Sequence, residues 1–393
     1  MRIYFAPCGI GLGHVGRSLE VAKYLKLRKP DCKILFSTYS DALIPLKTEG
    51  FRFVEAPKFE YWVWPDGTPD PWRTLKWLSG KILGVFLKQL KFEVKQVASF
   101  KPDIIFSDSR LSTTIVGWLL GKPVITMLNQ FHVVAPGFVH YKILQTLSDI
   151  FSFTFLADGW GLSSKILIPD FPPPYSISTL NLRIPPSIKH KIIFVGPILP
   201  VKPENLPNQE ILRKKFGFDS RPLIYVAVSG PKWERFWLGK KLLKYFSGFP
   251  EKYQIIVSLG SRENPNVWRK GNLTVYGWLK ERFEVLKACD LVVGRGGHTT
   301  LTQTLAYGKP MLLIPTPEQT EQIYNAKSAV KLGVAKVLDQ RKLSKELLLS
   351  KVEEIFNDKK YWKNAEKLRK IALNFDCLKT TTNLILSYGK NSL

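Results

Sequence analysis

The stretch Val292-Val293-Gly294-Arg295-Gly296-Gly297-His298-Thr299-Thr300 carries the pattern that decides the fold. An apolar strand over 290–293 runs into a glycine-rich turn, and the turn opens a helix over 299–307 that Gly308-Lys309-Pro310 ends. Glycines let the backbone approach a ligand closely, and a helix N-terminus offers free N–H groups and a positive dipole end. The pattern predicts a phosphate site; a tight turn without a ligand is the alternative.

A polar cluster after the next strand favours the ligand site. The second strand is predicted over 311–314, and open α/β sheets bind ligands just past the carboxyl ends of their strands. The cluster in that position is formed by Glu318, Gln319, Glu321 and Gln322.

A second glycine turn follows the first predicted strand of the chain, 3–6. Gly11, Gly13 and Gly16 fit the dinucleotide fingerprint G-x-G-x-x-G. A nicotinamide site also needs an acid at the end of the second strand, but the strand over 33–36 is followed by no acid before Asp41. The sequence therefore argues against a dehydrogenase. His14 lies inside this turn, and an exposed histidine without a function is the alternative to a site residue.

Asp108 ends the strand predicted over 104–107, as the first glycine turn ends its own strand. The carboxyl ends of parallel strands share one edge of a sheet, so we expect Asp108 and His14 to meet.

Alternation of strands and helices in both parts of the chain predicts an α/β fold with two doubly wound, Rossmann-like sheets. For 393 residues this gives an N-terminal domain over 1–200, a C-terminal domain over 201–378, and a segment over 379–393 that returns to the first domain. The two domains are expected to face each other across a cleft.

Composition restricts the class of protein. The formal net charge is +26, which attracts partners that carry phosphate, whether nucleic acid, anionic membrane or a phosphorylated substrate. The four cysteines form no C-x-x-C pair, and no charged leader or run of eighteen apolar residues is seen, so we expect a cytoplasmic protein.

A helix predicted over 72–97 has an unusual surface. Its lysines fall in one arc beside tryptophan, which suits an interfacial helix on acidic lipid; a solvated outer face is the alternative. The candidate membrane residues are Trp72, Trp77, Lys81, Lys88 and Lys95.

With these motifs in place, nearly the whole chain resembles the GT-B fold glycosyltransferases that use nucleotide sugars. It is similar to the lipid-sugar N-acetylglucosaminyl transferase of peptidoglycan synthesis and to the UDP-glycosyltransferase superfamily. The resemblance implies an inverting hexosyltransferase with no cofactor and no bound metal, in which His14 is the general base and Asp108 orients it. The residues that it assigns to the donor are Gly11, Gly13, Ser229, Trp278, Arg295, Gly296, Gly297, His298, Thr299, Thr300, Gln303, Glu318, Gln319, Glu321 and Gln322.

One position departs from the pattern of these relatives. They carry a Glu that binds the ribose diol where this chain has Gln303, and a neutral amide binds a diol less strongly than a carboxylate. Expected partners are a nucleotide sugar, UDP-linked by analogy, and a lipid or lipid-linked acceptor on the inner face of the cell membrane. A nucleotide-sugar epimerase of the same fold and a nucleic-acid-binding protein are the rival interpretations.

Overall fold

A computed structural model describes residues 1–59, 64, 66, 68, 70–131, 143, 146, 156–261 and 263–390. For residues 71, 72, 74–80, 82 and 390 it describes the backbone and not the side chain. The predicted membrane residues Trp72 and Trp77 belong to this second group, so their side chains lie outside the described part.

The first half of the chain alternates strands and helices. Its elements are β1 (Arg2–Pro7), α1 (Gly13–Arg28), β2 (Lys33–Thr38), α2 (Leu43–Thr48), β3 (Phe53–Glu55), α3 (Pro71–Phe100), β4 (Ile104–Asp108), α4 (Leu111–Leu119), β5 (Val124–Met127), α5 (Ala157–Gly161), β6 (Lys165–Ile168), α6 (Thr179–Leu182) and β7 (Ile192–Phe194).

The second half repeats the alternation and ends in helices. Its elements are α7 (Gln209–Lys215), β8 (Leu223–Ala227), α8 (Lys232–Phe246), β9 (Gln254–Ser258), β10 (Val267–Lys270), β11 (Leu273–Tyr276), α9 (Arg282–Ala288), β12 (Leu291–Gly294), α10 (His298–Ala306), β13 (Met311–Leu313), α11 (Thr320–Lys331), β14 (Ala335–Val337), α12 (Lys345–Phe356), α13 (Lys360–Ala372) and α14 (Cys377–Lys390).

The first sheet has the order β3-β2-β1-β4-β5-β6-β7 and is parallel throughout. Helices cover both faces, so its strands are apolar on both sides. In β1, Ile3 and Phe5 join the core under α1, whereas Tyr4 and Ala6 join the core on the other face. The strand order places the ends of β1 and β4 side by side, which is what a site at this edge requires.

The second sheet has the order β10-β11-β9-β8-β12-β13-β14, with only β10 antiparallel among its described strands. Val292 and Val293 of β12 point to opposite faces and belong to different cores. Two open parallel sheets with helices on both faces are the α/β architecture that the strand–helix alternation predicted.

The two halves exchange segments. Phe171 and Ile177 precede β7 in the chain but lie in the core of the second half. Conversely, Leu378 and Ile385 of α14 pack in the core of the first half with Ile3. The predicted division into 1–200, 201–378 and 379–393 stays a prediction. The packing shows that each half contributes a segment to the core of the other.

The long helix α3 has a defined start. Asp70 caps it by accepting a hydrogen bond from the Arg73 N–H at 2.9 Å, and Pro71 occupies the first turn, where its missing N–H costs nothing. Lys101, at φ 49°, ends the helix in the left-handed conformation. The helix therefore begins one residue before and ends three residues after the predicted 72–97.

Candidate functional site at the edge between the two sheets

The strand order brings His14 and Asp108 together. Pro7 at the end of β1 is in register with Asp108 at the end of β4, and the Cys8 N–H donates to the Asp108 carbonyl at 2.9 Å. The glycine turn after β1 then leads into α1, which carries His14 in its first turn. Two residues 94 positions apart in the chain therefore share one sheet edge.

His14 and Asp108 form a hydrogen-bonded pair. The Nδ1 of His14 lies 2.8 Å from Oδ1 of Asp108, which is fully buried, while 22% of the His14 side chain is exposed. An ionised carboxylate only accepts hydrogen bonds, so we assign the proton of the neutral ring to Nδ1, although Arg17 Nη2 also lies 3.1 Å from this atom. In the neutral ring the lone pair is then on Nε2, the atom that can take a proton from a substrate.

Arg17 holds the same carboxylate from the other side. Its Nε donates to Asp108 Oδ2 at 2.6 Å and its Nη2 to Oδ1 at 2.5 Å, and Ser18 Oγ donates to Oδ2 at 3.2 Å. Burial by itself raises the pKa of the Asp108 carboxyl, but the charges of Arg17 and His14 and their hydrogen bonds outweigh burial, so the pKa lies below its usual value. Asp108 therefore stays ionised beside His14.

A polar chain crosses from this pair to the second half. Arg17 Nη1 donates to Asn129 Oδ1 at 3.3 Å, and Asn129 Nδ2 donates to Glu321 Oε1 at 2.9 Å. Glu321 lies in the first turn of α11, just past the end of β13. The catalytic candidates of one half and the polar cluster of the other are thus three hydrogen-bond steps apart.

The glycine turn after β12 and the helix that it opens lie close to the start of α11 and to the start of α1. A Cβ on Gly296 would lie 2.4 Å from the Gln322 carbonyl oxygen, and Asn325 Nδ2 donates to the Gly296 carbonyl at 3.0 Å. A Cβ on Gly13 would lie 3.6 Å from Thr299 Oγ1, so the start of α1 faces the start of α10. The N-termini of α1, α10 and α11 converge, and their dipoles favour an anion between them.

Arg295 packs behind the glycine turn, and its predicted role in donor binding stays a prediction. Its side chain is buried; Nη1 donates to the Ile314 carbonyl at 2.9 Å and to Gln340, and Nη2 lies 2.8 Å from Glu234 Oε1. Burial lowers the pKa of Arg295 in spite of the Glu234 charge. Arg295 therefore fixes the back of the glycine turn.

His298 is also buried. Its Nε2 lies 3.3 Å from Oδ2 of the buried Asp170, and only 3% of the His298 side chain is exposed. The ring is thus buried beside Asp170 at the start of α10, and its predicted contact with a diphosphate stays a prediction.

Gln303 has a different partner from the predicted ribose. It is 3% exposed, and its Nε2 donates to the Ile198 carbonyl at 2.7 Å. One turn later, Tyr307 donates its hydroxyl to the Val201 carbonyl at 2.6 Å. Both side chains fasten α10 to the segment that joins the halves; Oε1 of Gln303 is buried without a hydrogen-bond partner among the described residues, and its contact with the ribose stays a prediction.

In the polar cluster after β13, some side chains bond within the second half and one bonds to the first half. Gln319 caps α11 by accepting from the Gln322 N–H at 2.7 Å, and Gln322 Oε1 accepts from the Thr316 N–H at 3.0 Å. Glu318, at φ 60°, accepts from Arg341 Nη2 at 2.8 Å. Glu321 accepts from Asn129 of the other half and so extends across the cleft.

The remaining donor candidates lie at the same edge. Ser229 follows β8 and Trp278 follows β11, and both are partly buried. Thr299 and Thr300 are partly buried in the first turn of α10, and Gly11 has φ +71° with open space where a Cβ would be. The sheet edge therefore collects these residues, and their roles in donor binding stay predictions.

The basic face of α3 is exposed in its described part. Lys81, Lys88 and Lys95 are exposed on one side of the helix, and Leu83 and Leu87 are exposed elsewhere on it. Within the described part of the chain, no helix combines the length and the apolar character needed to cross a bilayer.

Sequence reasoning did not identify Arg17, Asn129 and Glu234 as parts of the site. A signal existed for Arg17, which follows His14 by three positions and so lies on the same face of α1. Asn129 follows β5, next to β4 in the sheet, so the strand-end argument that found Asp108 also applies to it. Nothing local marks Glu234, because its partner Arg295 is 61 positions away in the chain.

Comparisons with known proteins agree with this geometry. Residues 237–378 match the glycosyltransferase family 28 C-terminal domain. An uncharacterized glycosyltransferase of Methanosarcina mazei is 27% identical over 98% of both chains. The UDP-N-acetylglucosamine–N-acetylmuramyl-(pentapeptide) pyrophosphoryl-undecaprenol N-acetylglucosamine transferase of Desulfitobacterium hafniense is 27% identical over 95% of this chain and 93% of its own.

Solved structures share the fold. The calicheamicin glycosyltransferase CalG4 superposes with a TM-score of 0.66 at 16% identity, covering 100% of this chain and 99% of its own. Acinetobacter baumannii MurG superposes with a TM-score of 0.61 at 16% identity, covering 98% of this chain and 99% of its own. With two facing Rossmann-like sheets, a family 28 C-terminal domain over 237–378 and glycosyltransferase relatives along its length, the chain has the GT-B fold and is a hexosyltransferase that uses a nucleotide sugar.

Proposed function

We propose that this enzyme transfers a sugar from a UDP-sugar, with inversion and without a metal ion, to a hydroxyl group of a lipid or lipid-linked acceptor. The observation that carries the proposal is the His14–Asp108 pair, with His14 partly exposed where three helix N-termini converge. A base held by a carboxylate beside an anion site is what direct displacement of a nucleoside diphosphate needs.

The proposed step is a single displacement. The acceptor oxygen attacks the anomeric carbon from the face opposite the diphosphate, the bond from that carbon to the diphosphate oxygen breaks, and the configuration inverts. The acceptor proton moves to His14 Nε2, and the ionised Asp108 at 2.8 Å from Nδ1 stabilises the resulting imidazolium. Arg17 keeps Asp108 ionised and in place.

The leaving diphosphate gains negative charge as the bond breaks. The N-terminus of α10, opened by Gly296 and Gly297, supplies backbone N–H groups and a positive dipole end at that point. The chain contains no Asp-x-Asp pair of the kind that clamps a metal-bound diphosphate. We therefore expect transfer to continue in EDTA; complete loss of activity that Mg²⁺ or Mn²⁺ restores would contradict metal-independent transfer.

The choice of UDP rests on relatives. The Desulfitobacterium enzyme is named for a UDP-sugar, whereas a Streptomyces glycosyltransferase of the same fold was solved with thymidine diphosphate. A thermal-shift screen with UDP, TDP and their sugars decides between them, since a ligand at 100 times its Kd stabilises by about 2.7 kcal/mol. A larger shift with TDP compounds would overturn the UDP assignment.

The lipid acceptor rests on the exposed face of α3. Lys81, Lys88 and Lys95 lie along one helix with Leu83 and Leu87, and each cation near an anionic surface contributes about 1 kcal/mol. The Desulfitobacterium relative is named for an undecaprenol-linked acceptor. Peripheral attachment to the cytoplasmic leaflet would bring such an acceptor to the cleft.

Vesicle sedimentation tests the attachment. Changing Lys81, Lys88 and Lys95 together to Gln should release the protein from anionic vesicles at low salt, and raised salt should release the wild type. The matched control changes three exposed lysines of the second half, Lys240, Lys342 and Lys359, to Gln and removes the same charge. Equal release by both triple variants would mean that net charge, not the α3 face, binds the vesicle.

One experiment tests the transfer itself. The wild type is incubated with the UDP-sugar found by the screen and a short-chain glycolipid acceptor, and the anomeric configuration of the product is read by proton NMR. A β-linked product from an α-linked donor supports inversion at a single displacement. Retention of configuration would overturn the role given to His14.

A further inference from the structure

A cavity of about 450 Å³ opens between the two halves, and neither His14 nor Asp108 is among its lining residues. Its lining residues are Trp64, Asp66, Thr68, Trp237 and Arg341. We infer that this cavity binds a saccharide unit of the acceptor, an inference that rests on the proposed function above. Its volume falls within the ~300–1,000 Å³ of small-molecule sites.

Hydrogen bonds among its own residues hold the wall that the first half contributes. Trp64 N–H donates to the Thr68 carbonyl at 2.8 Å, and the Asp66 carboxylate accepts from both the N–H and the hydroxyl of Thr68, each at 3.0 Å. Such an Asx-type turn fixes the backbone that carries Trp64. The aromatic wall is therefore present before a ligand arrives.

The same wall is fastened to the second half. Gln340 Nε2 donates to the Asp66 carbonyl at 3.0 Å, and the buried Gln340 side chain also accepts from Arg295 behind the glycine turn. The next residue, Arg341, lines the cavity and donates to Glu318 at 2.8 Å. The cavity thus adjoins the segment after β13 that was assigned to the donor sugar.

The chemistry of the lining favours a neutral sugar. Each half supplies one indole ring. A cation lies over one face of each ring, with Arg73 5.3 Å from the centre of the Trp64 ring and Lys241 4.1 Å from that of Trp237. The C–H face of a pyranose would therefore pack against the opposite face of each ring.

Asp66, Thr68 and Arg341 offer acceptors and donors for hydroxyl groups. Arg341 is already paired with Glu318, so the cavity offers a phosphate no uncompensated cation among its lining residues.

The position of the cavity favours the acceptor over the nucleotide. Arg341 follows β14 at one edge of the second sheet, whereas Trp278, the candidate for the base, follows β11 five strand spacings away. At about 4.8 Å per strand those strands are roughly 24 Å apart. The turn that carries Trp64 leads into α3, the helix of the proposed membrane face, so a lipid-anchored head group would enter the cleft beside it.

Saturation-transfer difference NMR tests the cavity without donor or turnover. The probes are methyl β-glucopyranoside, methyl β-N-acetylglucosaminide and N,N′-diacetylchitobiose. At least one should receive saturation from the wild type, lose it with Trp64→Ala and Trp237→Ala, and recover part of it with Trp64→Phe and Trp237→Phe, which keep an aromatic face. The control is Phe236→Ala, which removes a 74% exposed ring next to Trp237 in α8 and should change nothing.

Kinetics separate the acceptor from the donor. Both alanine variants should raise the acceptor KM by about tenfold, the loss expected for one aromatic contact, and leave the Kd of the nucleotide sugar unchanged. An unchanged acceptor KM, or a weakened donor Kd instead, would overturn the inference. Saccharide binding that survives both alanine variants would overturn it too.

The two arms distinguish this inference from the proposed function. If the wild type binds the probes through Trp64 and Trp237 but transfers no sugar, the saccharide site is supported and the transfer reaction is refuted. If the wild type transfers sugar but the probe signals are the same in both tryptophan variants, the transfer reaction is supported and the saccharide site is refuted.

Discussion

The two glycine turns of this protein look alike in sequence and differ in the surroundings of their histidines. Gly13-His14 opens α1 after β1, and Gly297-His298 opens α10 after β12. Each histidine also has a buried aspartate partner, Asp108 or Asp170. The environments are opposite, because 22% of the His14 side chain is exposed but only 3% of the His298 side chain.

The difference lies in which ring nitrogen the aspartate holds. Asp108 binds Nδ1 of His14 and leaves Nε2 free to act on a substrate, whereas Asp170 faces Nε2 of His298 itself. Asp170 also accepts from the N–H groups of Ile177 and Ser178, so it organises a loop. The comparison suggests that one pair serves chemistry and the other joins segments of the two halves.

The largest effect should come from His14→Ala. Removing a general base costs roughly 10²–10⁴-fold in transfer rate, while the Kd of the nucleotide sugar should change little because the base acts on the acceptor. Rates at saturating donor and calorimetric donor binding check both parts. A fully active His14→Ala enzyme would end the comparison, since neither histidine would then be the base.

Asp108→Asn should lose both activity and stability. The amide cannot accept from His14 and Arg17 as a carboxylate does, so we expect a loss of roughly 10²-fold in rate and about 3–5 kcal/mol in stability from the unpaired Arg17. Because the folded pKa of Asp108 is lowered, its stabilisation is present above the unfolded value of about 3.9 and is lost as pH falls through the folded pKa.

Unfolding by urea at several pH values checks this sign. The stability difference between wild type and Asp108→Asn should be full at pH 7 and should shrink below about pH 4. A difference that does not depend on pH would mean that the carboxylate charge is not what Asp108 contributes.

His298→Ala should show the opposite profile to His14→Ala. Loss of the buried contact leaves Asp170 with one partner fewer, which costs about 1–3 kcal/mol, while the rate at saturating substrates should stay within a few-fold of wild type. Urea unfolding and kcat are measured on the same preparation. A kcat loss like that of His14→Ala, without loss of stability, would show that the second histidine is catalytic as well.

Sequence patterns predicted the strand–turn–helix order and the meeting of His14 with Asp108, because parallel topology alone brings strand ends together. They did not predict β6, β10 or β14, or α11, whose first turn is polar. Burial could not be predicted for Arg295 or Gln303. Their partners, Glu234 and the Ile198 carbonyl, come from distant segments that only the tertiary fold brings near.

Gln303→Glu sharpens this point. From the sequence, a carboxylate here was expected to tighten nucleotide binding; in the structure it would lose the hydrogen bond to the Ile198 carbonyl and bury a charge beside it. We expect a destabilisation of about 1–3 kcal/mol and no gain in nucleotide affinity. Thermal unfolding with and without UDP checks both; a larger UDP-induced stabilisation than in wild type would return the ribose to this position.

Gly297→Ala should have the smallest effect, and it tests only whether the diphosphate lies on the second glycine turn. Gly297 has φ −66°, and no atom lies within 4 Å of an added Cβ, so alanine fits the empty turn without strain. If the diphosphate lies on this turn, the methyl group meets it and donor affinity falls about tenfold, or ~1.4 kcal/mol, with no loss of stability. Gly84→Ala, equally open but on α3, is the control and should leave donor affinity unchanged. Undiminished donor binding by Gly297→Ala would place the diphosphate away from the second glycine turn, and the two turns would then differ in more than their histidines.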